Sequence, residues 1–456
     1  MKEQAKPPMR RSEVLLAKIR SHEEMSHGEM FRLIVDLSIP SILAQITSVL
    51  MFFIDAAMVG HLGTRASASI GLIESSTWLC GSVSTAVSMG FSVQVAHFIG
   101  ANDLVKARLV FRHGIFFALC FSVALGALGV AISGRLPYWL GGDATIADDA
   151  TWYFLIFMLV MPFFQMSSLA GSMLKCSGNM RIPSMVSISV CVLDVVFNYF
   201  FIYMLGMGVK GAAIGTALAV SAGAVVQMWF ALVGNDMLSV AGRGEPFFWV
   251  PSFIRNAIGI SAPMALQSIL MGVAQIVSIT IVSPLGNIAI AANTFAITVE
   301  SLCYMPGYGI GEAATTLVGQ SIGAGRRALF RSFSAMTIRL AMAVMALTGV
   351  VMYVFATGLM GLLTPVEAIR DCGASALRIE AFAEPLFAAS IVGYSICVGA
   401  GDTKVPAIMN LMSIWVVRLS LAALLAPVYG LDGVWFAMAC ELVFRGLIFL
   451  WRVRGL

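Results

Sequence analysis

Two stretches, IPSILAQITSVLMFFIDAAMVGHLG (residues 39–63) and APMALQSILMGVAQIVSITIVSPLG (residues 262–286), are apolar, long enough to cross a bilayer as helices, and in register with each other. Pro40 recurs as Pro263 and Leu62-Gly63 as Leu285-Gly286, each 223 positions on. Outward from these stretches the same stride carries Ile99-Gly100-Ala101 to Ile322-Gly323-Ala324, Gly178 to Gly401 and Pro183 to Pro406. Gly208 and Gly211 recur as Gly430 and Gly433, one residue shorter, as a single loop deletion would leave them. One structural unit has therefore been used twice.

Composition sets the solvent. The chain is 59% hydrophobic and 11% charged, against about 25% charged in an ordinary soluble domain, so it lacks the polar surface of a water-soluble globule. The net charge of +4 comes from scattered residues, with no basic stripe to follow a nucleic-acid backbone. The eight cysteines never form a C-x-x-C pair, and they read as small apolar packing residues. Residues 1–37 are charged and lack the apolar core and cleavage site of a secretory signal. Within them Val14, Leu15, Leu16 and Ile19, beside Lys18 and Arg20, suit either a short helix on the inner membrane surface or an unstructured basic tail.

Twelve apolar runs predict twelve transmembrane helices: 38–60, 68–98, 112–134, 150–172, 184–206, 212–234, 257–283, 288–318, 334–362, 378–399, 405–427 and 430–451. With a cytoplasmic N-terminus, only Arg65, Arg135, Lys210, Arg370 and Arg378 of the 28 Lys and Arg fall outside, which satisfies the positive-inside rule. Both termini are then cytoplasmic. Six spans per copy return the chain to its starting side, so the copies form a parallel repeat about a pseudo-twofold axis along the membrane normal. The expected architecture is all-α: a cytoplasmic segment (1–37), an N-lobe (38–234), a cytoplasmic linker (235–256) and a C-lobe (257–456). Gly242, Gly244, Pro246 and Pro251 mark the linker as turn-rich, and rocking of the lobes would require it to be pliable.

Charged groups inside spans are expensive, from about 2.5 to over 10 kcal/mol each, so each needs a partner, a wet cavity or a proton. Asp55 lies in the first span, Asp194 in the fifth, Glu300 and Glu312 in the eighth, Glu384 in the tenth and Arg418 in the eleventh. Asn198 follows Asp194 by four residues, on the same helical face. If the bundle joins the first and fifth spans, two carboxylates share a dry pocket, and their repulsion calls for a proton or for a sodium ion with Asn198 as a neutral ligand. Glu312, Glu74, Glu380, Glu441, Arg418 and Arg445 read instead as interfacial groups or ion pairs within a lobe. His97 reads as structural, and the five His residues show no metal-ligand spacing.

The run Gly307-Tyr308-Gly309-Ile310-Gly311 sits in an apolar helix with no preceding strand, so with Pro306 it reads as a bend and not as a nucleotide loop. Gly211 and Gly215 form a small-x-x-x-small contact face. No Gly-Lys dipeptide occurs, which removes the Walker route to ATP hydrolysis. A subset of the Phe and Met residues, Phe163, Phe164, Met166, Met264 and Met271 with the amides Gln45 and Gln165, would suit a cleft for flat, greasy ligands.

Ile39-Pro40, Gln45 and Asp55 followed by Met58-Val59-Gly60-His61-Leu62-Gly63 resemble the first-span signature of the multidrug and toxic compound extrusion family. Gln94 through Ile99-Gly100-Ala101-Asn102, Val318-Gly319-Gln320 through Ala324, and Gly399-Ala400-Gly401-Asp402-Thr403-Lys404-Val405-Pro406 resemble it too, so the likeness runs through the chain after residue 37. The resemblance implies a twelve-helix, two-lobe antiporter that exports organic compounds, often lipophilic cations, against protons or sodium ions, with no other cofactor. It implies that Asp55 and, as in the DinF-like branch, Asp194 are the N-lobe coupling acids. The seventh-span acid of other branches is missing between Pro263 and Gln275, and Glu300, with Glu384, is the candidate replacement. The expected partners are small organic molecules and membrane lipid, with the protein a monomer in the cytoplasmic membrane. A lipid-linked flippase would need a cationic cluster for phosphates, and an embedded transferase a grouped nucleophile and base; neither pattern is present. The protein is not expected to be an enzyme.

Overall fold

The computed structural model describes residues 11–240 and 245–456; the first ten residues and Gly242 and Gly244 of the linker lie outside the described residues. Among the described residues every regular element is helical, and twelve spans are present. Spans 1 to 3 are His27–Gly60, Thr64–Gly100 and Leu104–Ile132, and span 4 is the bent pair Ala144–Leu159 and Met161–Cys176. Spans 5 and 6 are Arg181–Met204 and Gly208–Gly234. In the second half, spans 7 to 9 are Pro251–Leu285, Asn287–Gly323 and Arg327–Leu363, and span 10 is the bent pair Glu367–Ala381 and Glu384–Gly399. The last helical run, Lys404–Arg454, is broken at Gly430 (φ 61°, ψ −138°), which separates span 11 from span 12.

Most helices outrun their apolar windows, because an apolar window measures hydrocarbon and a helix continues into water while its ends are capped. Span 1 starts at His27, well before the run at residue 38, since Ser26 and Glu29 form a reciprocal capping box. Span 8 continues through Pro306 as one helix, and its glycines serve contact: a Cβ on Gly309 would lie 2.7 Å from the Cα of Ile42 in span 1.

The repeat holds in backbone conformation. Gly63 and Gly286, 223 apart, cap spans 2 and 8 with nearly the same torsions (φ 110°, ψ 172° and φ 95°, ψ 170°). Asn102 and Gly325 occupy the same left-handed turn (φ 58° and 69°). Spans 4 and 10 bend by 49° and 62° at matched places, because Pro162 and Pro385 lack the amide hydrogen that would continue the first helix into the second. The six-helix lobes are thus related by a twofold operation, which also pairs span 1 with span 8 and span 2 with span 7 across the interface.

The two faces of the molecule differ. On the face that carries the termini, apolar clusters draw on both lobes: Val93 with Ile260 and Val398, and Phe91 and Leu169 with Phe253 and Ala257. Toward the opposite face the clusters stay within one lobe, around Val59 and Ile202 in one and around Ala292 and Trp435 in the other. The lobes are therefore joined at the terminal face and separate at the distal one.

Arg11–Arg20 forms a helix that packs on protein instead of lying on a membrane surface, with Leu15, Leu16 and Ile19 buried. A ten-residue helix is unstable alone in water, so packing sustains it; three such side chains contribute on the order of 5 kcal/mol. The described part of the linker is also fastened. Arg108 donates from Nε to both oxygens of Glu245 (3.1 and 3.0 Å), the Val250 amide donates to His113 Nε2 (3.0 Å), and Phe247 and Trp249 stack on that imidazole.

Candidate functional site

Span 1 carries Asp55 about five residues from its distal end, and span 5 packs against it with Asp194 and Asn198 on one face. The Asn198 Nδ2 donates to Asp55 Oδ1 and to Asp194 Oδ2, both at 3.1 Å. The two carboxyls also lie within hydrogen-bonding reach of each other, and the Thr216 hydroxyl of span 6 reaches Asp194. Gly215 makes room for this arrangement, since a Cβ there would fall 2.1 Å from Asn198 Oδ1. Beyond Asn198, span 5 widens into a π-helical turn at Phe200–Met204, a distortion common at functional sites.

Asp194 and Asn198 are buried, and Asp55 is half-buried. Among the described residues neither carboxyl has a Lys or Arg partner. Two oxygens, Asp194 Oδ1 and Asn198 Oδ1, are buried with no hydrogen-bond donor. Unpaired acceptors of this kind are costly, and a proton shared by the carboxyls or a small cation among the oxygens would satisfy them.

The C-lobe holds a second buried group. Glu300 of span 8 reaches Glu380, and Glu384 lies close by on the other side of the span 10 bend. All three are buried, and both oxygens of Glu380 and of Glu384 lack donors. Next to them Glu441 receives Arg445 (3.0 Å) and Arg418 (3.4 Å), a pairing within the lobe as the sequence suggests. Four carboxyls face two guanidiniums, so at least two of the carboxyls have no guanidinium to balance them. Glu380, read from sequence as an interfacial or ion-paired group, belongs instead to this cluster. The signal for it was its position four residues before Glu384, obscured by the intervening bend.

Glu312 is not paired within its own lobe. Its Oε1 lies 2.6 Å from Lys175 Nζ at the end of span 4 and accepts from Gln45 Nε2 at 3.1 Å. Gln45 and Lys175 belong to the N-lobe, so this bridge ties the lobes together. His97 is also an inter-lobe residue: its Nε2 donates to Gly399 O (2.9 Å), while the twofold-related Gln320 donates to Cys176 O (2.8 Å). Gly100 and Gly323 allow the approach, since a Cβ on either would lie 2.1 or 1.9 Å from the carbonyl oxygen of Gln320 or His97.

Gln165 is fully buried between spans 4 and 2, donating to Ser84 O (3.2 Å) and Ser88 Oγ (3.0 Å). Met166 packs against the N-lobe core and Met271 against Ala274, Ile414 and Leu419 of the C-lobe, both half-buried. Met264 lies between the lobes beside Val93 and Ile260, and Phe163 is exposed.

The MatE family model matches residues 40–200 and 263–424, one match per lobe and the same 223-residue offset at their starts. A "Probable multidrug resistance protein NorM" of Thermotoga maritima is 24% identical over 426 residues, covering 92% of this chain and 91% of that protein. A "Multidrug resistance protein NorM" of Burkholderia vietnamiensis is 25% identical over 433 residues, with 91% and 92% covered. Among solved structures, one described as MATE in complex with MaL6 superposes with TM-score 0.90 at 20% identity over 96% of this chain and 98% of that one. A Pyrococcus furiosus transporter of the MOP superfamily, whose description suggests a different function from the polarity of its pocket, gives 0.89 at 20% identity, covering 96% and 97%. With the family model covering well over half of the sequence on a two-by-six helical fold, the chain belongs to the MatE family, the multidrug and toxic compound extrusion transporters.

Proposed function

We propose that this transporter is a secondary active antiporter of the cytoplasmic membrane, exporting lipophilic organic cations in exchange for protons or sodium ions, with both termini in the cytoplasm. The observation that carries the reading is the Asp55, Asn198, Asp194 constellation, in which buried carboxyls lack a basic partner and two buried oxygens lack donors. With the lobes joined at the terminal face, the cleft faces outward and a cation from outside can reach these oxygens. Neutralising the pair removes repulsion between spans 1 and 5 and lets them repack, and the cargo site loses affinity as they do. Each coupled charge contributes about 2.3 kcal/mol per 100 mV of membrane potential.

Glu300, Glu380 and Glu384 supply a second, buried acidic group in the C-lobe, with capacity for further protons or cations. Acid groups on both lobes, with Met and Phe side chains near the cleft, favour a cationic and greasy cargo over an anionic one. Gln45 and Glu312 act in this reading at the inner closure, and Gln165 and Met166 support the N-lobe packing.

The test is dye efflux from proteoliposomes with the proton and sodium gradients set independently. Efflux that accelerates with one gradient, and cargo that dissipates the same gradient, are expected. Efflux insensitive to both gradients would sink the antiport reading.

A further inference from the structure

The helix Arg11–Arg20 sits over the seam between the lobes on the terminal face. Leu15, Leu16 and Ile19 enter a cluster shared by Leu33 and Met180 of the N-lobe and by Leu317, Leu329 and Phe333 of the C-lobe. Its contacts reach spans 1, 2 and 8. Leu16 fills the space above Gly178, where a Cβ would lie 2.2 Å from its Cδ1. On the N-lobe side Lys18 Nζ pairs with Glu29 Oε1 at 2.6 Å, and Arg20 Nη1 lies 3.0 Å from Met237 Sδ. On the C-lobe side Arg326 Nη1 donates to Lys18 O at 2.9 Å.

We infer that this helix is a clasp: it holds the lobes together at the terminal face and must leave its C-lobe contacts each time that face opens. The inference rests on the alternating-access reading and names the element that regulates it. Any opening at the terminal face separates Leu33 from Leu317, and a helix buried between them cannot keep both partners. The chain runs from Arg20 into span 1 through a six-residue turn, residues 21–26, so the clasp travels with the N-lobe. What breaks is the apolar contact with Leu317, Leu329 and Phe333 together with the Arg326 bond. Because ten residues are too few to stay helical unsupported, release loosens the helix and lowers the cost of opening. Weakening the clasp therefore shifts the population toward the form open at this face.

The experiment uses the full chain, with its native cysteines replaced by Ala or Ser. Ala313, buried in the same cluster, becomes the reporter as Ala313→Cys, probed by maleimide. Adding Leu16→Asp is expected to speed labelling roughly tenfold, and Arg326→Ala to speed it less, leaving the apolar packing intact should Leu16→Asp fail to fold. In a separate variant, Lys18→Cys with Arg326→Cys is joined by a reducible bifunctional reagent, which should halt dye efflux until the reagent is cleaved. Unchanged labelling in both folded variants, or full-rate efflux by the joined protein, would overturn the clasp. Labelling reads the seam and no cargo, so it succeeds or fails independently of whether ions drive export.

Discussion

At the scale of residues, one amide holds the N-lobe site together. Asn198 points both hydrogens at carboxylates, one on its own helix and one on span 1, and leaves its oxygen without a donor. Asp55→Asn keeps a group of the same shape but cannot exchange a charge with the solution. We expect it to insert, fold and melt within about 1 kcal/mol of the parent, while efflux falls to the level of empty vesicles. Undiminished efflux would remove Asp55 from the coupling machinery. Asn198→Leu takes the common donor from one buried and one half-buried carboxyl and should cost about 1–3 kcal/mol, read as a lowered melting temperature in detergent.

At the scale of elements, the spans are shaped by where a backbone hydrogen bond or a Cβ is missing. Pro162 and Pro385 bend spans 4 and 10 at matched depth, and in span 10 the bend puts Glu380 and Glu384 on either side of Phe382-Ala383, both buried near Glu300. Gly100 and Gly323 let the ends of spans 2 and 8 meet across the twofold axis. A valine at Gly323 would place a Cβ 1.9 Å from the His97 carbonyl oxygen, a distance no backbone tolerates. Gly323→Val is therefore expected to part the lobes at the terminal face while each lobe stays folded. Cysteine labelling at Ala313 should rise, and a labelling rate equal to that of the parent would contradict the proposed closure.

At the scale of the whole molecule, two lobes are joined on one face by shared apolar clusters and a small set of polar contacts. The bridge from Lys175 to Glu312, steadied by Gln45, is an ion pair with both partners about one-quarter exposed. Reversing one charge, as in Lys175→Glu, puts two carboxylates against each other and should favour separation by about 1–3 kcal/mol. Reversing both, with Glu312→Lys added, should restore most of the closure. A double variant no more closed than Lys175→Glu alone would show that the pair carries no coupling.

The sequence by itself determined the membrane class, the twelve spans and the parallel two-by-six repeat, because apolar length and a fixed stride are properties of the chain and need no contacts. It also supplied Asp55 and Asp194, since a charge inside an apolar run is conspicuous wherever the helix goes, and Asn198 by its four-residue spacing from Asp194. What it does not assign is partners: spacing leaves Glu312 and Glu380 as interfacial groups or ion pairs within a lobe, and the segment around residues 14–20 as a membrane-surface helix or an unstructured tail. Each of those depends on which helix lies across the gap, a long-range packing outcome that one-dimensional spacing does not encode. Tertiary structure alone brought Lys175 to Glu312, folded span 10 around Glu380 and Glu384, and laid Leu16 over Gly178, because lobes meet by shape and the sequence lists only what each helix has to offer.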